Sequence, residues 1–137
     1  MKIEEIKYRD TLLARIIRQG KAEGEIEFFT PDDSLLQVGK HSREKGKIIK
    51  PHLHCSVTTQ QNSALQEVLY IEKGKVLVKF YNPLGEIVTT KEISQGDLLL
   101  LIEGGHGFEF LEETLMIEIK QGPYNPESRR PLHVENE

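Results

Sequence analysis

GKIIKPHLH, residues 46–54, places two histidines two positions apart in an extended segment. Side chains at i and i+2 of a strand point to the same face. His52 and His54 therefore stand side by side, and two imidazoles so placed are half of a metal site. A carboxylate and a third histidine from other strands can complete it. Glu67 and His106 are the candidates, because each sits at an element boundary suited to the role.

Working outward, strand-sized runs alternate with Gly, Pro, Asn and Asp from about residue 25 onward. Residues 26–29 end at the turn Thr30-Pro31-Asp32-Asp33, residues 34–39 form a short strand, and His41 to Gly46 is a polar connection. Residues 47–57 are extended, and Pro51 suggests a sheet edge or a bend. Thr58 to Ser63 reads as a loop. Residues 67–72 and 76–81 flank Lys73-Gly74-Lys75 as a hairpin, with glycine supplying positive φ. A Thr-rich strand follows over 87–93. Leu98 to Ile102 is a continuous apolar run of buried-strand length. His106, Phe108 and Phe110 alternate onto one face, and 114–120 is the last strand. Residues 8–19 fit a helix or a strand equally well. The many short strands argue for an all-β sandwich or barrel.

The bulk numbers set bounds. At 137 residues the chain makes one domain. A net charge of −4 gives no basic footprint for nucleic acid. The single cysteine, Cys55, forms no internal disulfide and fits a reducing compartment. No apolar run reaches membrane-span length, and the N-terminus is too acidic for a signal peptide, so the expected location is the cytoplasm.

The spacings resemble those of the cupin superfamily. Five residues lie between Gly46 and His52, His54 follows, and six lie between Glu67 and Gly74. Gly96-Asp97 opens a second block that Gly104 and His106 close. The resemblance covers residues 39–120. It implies a jelly-roll (double-stranded β-helix) barrel with a short N-terminal extension. It also implies one divalent metal ion, Zn, Fe, Mn or Ni, held by His52, His54, Glu67 and His106. Two departures stand out. Twelve residues separate His54 from Glu67, more than is usual, which reads as a loop insertion. Ile102 replaces a proline, and His106 comes one residue early, which raises the question of which face it takes. Residues 28–33 and 104–124 are similar to a narrower group of small bacterial cupins that accompany surface-polysaccharide and nucleotide-sugar enzymes.

The remaining polar residues have plainer expectations. His41 and His133 read as solvated, and Cys55 as a small buried hydrophobe. Phe108 and Phe110 read as barrel core. Val68, Tyr70 and Leu77 form an outer apolar patch suited to a homodimer. Tyr124 and Arg129-Arg130 could approach an acidic or phosphate-bearing ligand, but residues 121–137 are expected to be a polar surface tail.

The expected function is metal-dependent chemistry on a small carbohydrate or nucleotide sugar, of the isomerase or epimerase kind. Two alternatives are a non-catalytic sugar-binding module and an Fe(II)-dependent dioxygenase. No general base is visible, and whether the chain is an enzyme stays open.

Overall fold

The computed structural model describes residues 3–55 and 65–134. The strands are β1 (Ile3–Tyr8), β2 (Thr11–Ile17), β3 (Ile26–Phe28), β4 (Leu36–Arg43), β5 (Ile48–His54) and β6 (Glu67–Lys73). They continue as β7 (Lys75–Tyr81), β8 (Ile87–Ser94), β9 (Leu98–Leu101), β10 (Gly105–Phe110), β11 (Thr114–Gln121) and β12 (Arg129–Pro131). A 3-10 turn, Pro126–Ser128, precedes β12. Two five-stranded antiparallel sheets, β12-β5-β10-β7-β8 and β3-β4-β11-β6-β9, form the jelly roll. The segment that fitted helix or strand equally becomes β2. It pairs with β1 as a separate hairpin, which is the N-terminal extension.

The pleat sorts each strand between the two faces. Leu69, Ile71 and Met116 from one sheet meet Val76, Val78, Phe108 and Phe110 from the other in a single buried core. These residues follow the period of two that places alternate side chains inward. The run 98–102 behaves otherwise than its composition suggests. Because β9 is an edge strand, only Leu99 and Leu101 turn inward, while Leu98 and Leu100 are 70% and 52% exposed. An edge position, which composition does not reveal, leaves the outer face uncovered.

Four further expectations change. The strands on either side of Gly74 do not pair as a hairpin: β6 pairs with β11 and β9, and β7 with β10 and β8, so Gly74 carries the chain from one sheet to the other. Residues 41–43 belong to β4 and are not part of a polar connection. The tail is not a free surface run, because its residues 129–131 pair with His54, Leu53 and His52 of β5. Leu77 lies on the opposite sheet from Val68 and Tyr70, so the three do not form one patch. The loop expected at Thr58 to Ser63 falls outside the described residues.

The β6–β7 turn depends on Gly74. Its φ is +100°, and a Cβ there would meet the Glu113 carbonyl oxygen and lie 2.8 Å from Thr114 Cα. Both obstacles are backbone and cannot swing aside. Gly74→Ala is therefore expected to cost about 1–3 kcal/mol for the left-handed backbone alone, with the steric contact adding to it. Urea denaturation checks this, and an unchanged midpoint contradicts it.

Candidate metal centre and its polar surroundings

Strand register assembles the site. In one sheet His52 lies opposite His106, and His54 is two positions further along β5. In the other, Glu67 lies opposite Lys120 and Leu101. The β5–β10 register shifts between His106 and Phe108, which face His52 and Ile49. This bulge sits at Pro51, whose missing N–H makes it a natural place to break the ladder. It keeps Ile49 inside with the core while His52 and His54 face the cavity. Gly46 N–H donates to Phe110 O at 2.7 Å and anchors the start of β5. Leu132 N–H donates to Pro51 O at 3.1 Å, and Cys55 N–H to Ser128 O at 2.8 Å, which anchor its end. Cys55 is half-buried there, more open than expected.

His106, whose face was in question, points inward. Its ring centroid lies 4.6 Å from that of His52 and 5.5 Å from that of His54, and the first pair on β5 is separated by 4.9 Å. Gly104, at φ +84°, makes the turn that delivers it. One ring nitrogen from each of the three histidines falls within 4.8 Å of the others. Glu67 Oε2 is 3.3 Å from His54 Nε2 and 3.7 Å from His106 Nε2. All four side chains that the sequence singled out thus meet at one point.

The donor atoms there fit a cation. His54 Nε2, His106 Nε2 and Glu67 Oε2 are buried, and none has a hydrogen-bond partner. The 3.3 Å approach of His54 to Glu67 lacks hydrogen-bond alignment, so proximity does not satisfy either atom. Buried polar atoms are almost always paired, and an unpaired cluster of lone pairs calls for an ion. The imidazoles are also in the right form. Burial pushes His52 and His54 down to about 4 and His106 down to about 3, so all three are neutral at pH 7. His52 Nδ1 is 2.8 Å from Lys50 O. A carbonyl only accepts, so Nδ1 carries the proton and Nε2 is left as the ligand nitrogen.

Behind Glu67 lies a polar chain that sequence reasoning missed. Glu118 is buried and hydrogen-bonded to Glu67. His41 Nε2 lies 2.9 Å from Glu118 Oε2. Arg43 reaches His41 Nδ1 from Nε at 3.2 Å and from its terminal nitrogen at 3.1 Å. Arginine only donates, so Nδ1 is the acceptor and Nε2–H donates to Glu118. Arg43 is held in turn by Glu25 at 2.7 Å. His41, expected to be solvated, is buried because β4 runs four residues further than its polar sequence suggested. The available signal was the alternation of Met116, Glu118 and Lys120 along one strand face. A charged residue in an inward register is rarely idle.

The two carboxyls divide their roles. Burial raises Glu67 well above the ordinary carboxyl range, and its bond to Glu118 adds to the rise. Burial would also raise Glu118, but bonds from Glu67 and His41 outweigh it and hold Glu118 well below that range. Without a cation, Glu67 keeps the shared proton and Glu118 keeps the charge. Glu118 thereby orients Glu67. Glu118→Gln is expected to weaken divalent-metal affinity about 10–100-fold. Isothermal titration with Mn(II) or Zn(II) checks this, and unchanged affinity contradicts the orienting role.

No protein-family model matches the sequence, and no curated protein matches it. Solved structures do. A variant of Bacillus subtilis oxalate decarboxylase is 17% identical over 95% of this chain and 32% of that chain, with a TM-score of 0.62. Another structure of the same enzyme, studied for its Mn(II) centres, is 20% identical over 71% and 24%, with a TM-score of 0.56. KdgF from Halomonas sp. is 18% identical over 79% of this chain and 89% of that one, with a TM-score of 0.55. Procruciferin, an 11S globulin from Brassica napus, is 23% identical over 65% and 21%, with a TM-score of 0.53. The chain spans between a fifth and a third of the length of procruciferin and oxalate decarboxylase. The topology and these likenesses agree: the chain has the fold of the cupins.

Proposed function

We propose that this protein binds one divalent metal ion through His52, His54, Glu67 and His106. We propose further that it rearranges a small polyhydroxy molecule of the carbohydrate or nucleotide-sugar kind, as an isomerase or epimerase. The observation that carries the metal reading is the set of buried, unpartnered nitrogen and oxygen atoms converging from both sheets. When bound, such an ion supplies a Lewis acid that polarises a carbonyl and acidifies the C–H beside it. The chain's own residues supply the rest. Glu118 lines the same cavity, where its depressed basicity suits it to orient Glu67 rather than to take that proton. Gln66, Gln121 and Asn125 line the adjoining cavity and offer amide groups that hydroxyl groups need.

The Mn(II) centres of oxalate decarboxylase make manganese the first ion to test, although nitrogen-and-oxygen donor sets also take Fe, Ni and Zn. The deciding experiment is elemental analysis of protein purified without chelator and without an affinity metal. About one equivalent of metal supports the proposal. No metal after exposure to Mn, Fe, Ni and Zn overturns it and favours a non-catalytic binding module.

The homodimer suggested by the family resemblance would use the outer face of the β3-β4-β11-β6-β9 sheet. There Val38, Ile119, Val68 and Leu100 form one continuous cross-strand row. Light scattering tests this, and a monomer mass contradicts it. Among the described residues no helix is long and apolar enough to cross a membrane.

A further inference from the structure

Two cations flank the site, and among the described residues neither makes a contact ion pair. Lys120 lies directly opposite Glu67 across the β11–β6 ladder, and Arg129 directly opposite His54 across the β12–β5 ladder. Directly opposed residues share a face, so one cation reaches the cavity from each sheet. Two adjoining cavities, about 150 and 250 Å³, share His54, Glu67, Lys120 and Arg129 in their walls. Among the described residues neither cation forms an ion pair with a carboxylate. Lys120 Nζ instead sits 4.7 Å from the centre of the Phe28 ring, where the absence of a side chain at Gly39 admits that ring. Arg129 brings a terminal nitrogen within 3.3 Å of His52 Nδ1. That nitrogen already donates its hydrogen to Lys50 O at the shorter 2.8 Å, so Arg129 finds no acceptor there.

We infer that Lys120 and Arg129 form a carboxylate clamp, and that the ligand of this cavity is a small organic acid. This narrows the proposed function from nucleotide sugars to small sugar acids, and it rests on the reading of the cavity as a ligand site. The planar guanidinium fork of Arg129 matches a carboxylate in two parallel bonds, while Lys120 adds a point charge from the far wall. A carboxylate suits the site better than a phosphate. Glu118 lines the same cavity as the two cations, and an acidic group beside the clamp opposes a dianion more than a monoanion. The cavity volumes also suit a molecule of modest size.

The test uses the full chain with its metal content measured first. D-glucuronate, D-glycerate, glucose and inorganic phosphate are titrated calorimetrically into wild type, Arg129→Gln and Lys120→Gln. One or both acids should bind wild type, glucose and phosphate should bind more weakly, and each substitution should weaken acid binding about tenfold or more. Arg129→Lys, which keeps the charge and loses the fork, should fall between. Metal content should stay at the wild-type level in all variants. Acid binding that is equal in wild type and both glutamine variants overturns the inference. So does phosphate binding more tightly than either acid, or no acid binding at all. The two readings fail separately. A metal-loaded protein that ignores the acids sinks the clamp alone. A protein that takes no metal but binds the acids through Lys120 and Arg129 sinks the metal assignment alone.

Discussion

Replacing His52 by alanine should lower the metal content of the purified protein about tenfold or more, because losing a ligand costs more than losing the partner that orients one. His52 is central to the cluster. Its ring lies within 5 Å of both other imidazoles, while those two are 5.5 Å apart. Its Nδ1–H is already fixed on Lys50 O, so its lone pair points in one direction before any ion arrives. The substitution also empties space between β12 and β10, both of which pair with this residue. A fold check by circular dichroism must therefore accompany the metal analysis. His106→Ala should behave in the same way, since His106 reaches the site from a different strand. Cys55→Ser, at the half-buried end of the same strand, should leave metal content unchanged. Full metal loading in folded His52→Ala protein would refute the site assignment.

The fold was legible wherever two periodicities agreed. The turn at Gly74, the alternation of His106, Phe108 and Phe110, and the inward pair on β5 were all readable locally, but the strands on either side of Gly74, read as a hairpin, join different sheets. What stayed hidden depended on long-range pairing. His41 looked like a loop residue because its neighbours Lys40, Ser42 and Arg43 are polar. Only the pairing of β4 with β11 makes His41 and Glu118 diagonal neighbours on the inner face, through His41 opposite Met116 and Gly39 opposite Glu118. Arg129 looked like part of a tail because three prolines and several charges surround it. Its place beside His54 arises from a three-residue strand too short to show a period. The early His106 was ambiguous for a similar reason. Counting residues predicts a flipped face, whereas a glycine turn before it and a bulge on the partner strand take up the difference. Local pattern thus picked out the four side chains that converge in the cavity. The residues around them, Glu118, His41 and Arg129, come from strand register, which the sequence does not spell out.

The metal-free protein should lose stability steeply as the pH falls below about 6.5. Each of the three histidines is neutral in the fold until about pH 4, or about 3 for His106, but takes a proton near 6.5 when unfolded. Between those values the unfolded chain binds up to three more protons at these positions, so stability rises with pH there and falls on acidification. Glu67 works in the opposite direction. Its folded pKa is raised, so the native state keeps a proton that the unfolded state has released above about 4.5, and that contribution weakens as pH rises. The lowered Glu118 matters only below the ordinary carboxyl range, where its protonation in the unfolded chain adds to the loss. Three protons against one leave a net difference of about two, or about 2.5 kcal/mol per pH unit between pH 6 and 4.5. Set against a total stability on the order of 5–15 kcal/mol for a domain, two pH units are enough to unfold much of the population. Urea midpoints of chelator-treated protein at pH 7.5, 6 and 5 measure the slope. His106→Leu should reduce it by about one proton's worth, because the deleted imidazole can no longer charge in the unfolded state. A midpoint that does not move between pH 7.5 and 5 would show that the imidazoles are not held neutral by burial, and the electrostatic account of the site would fall with it.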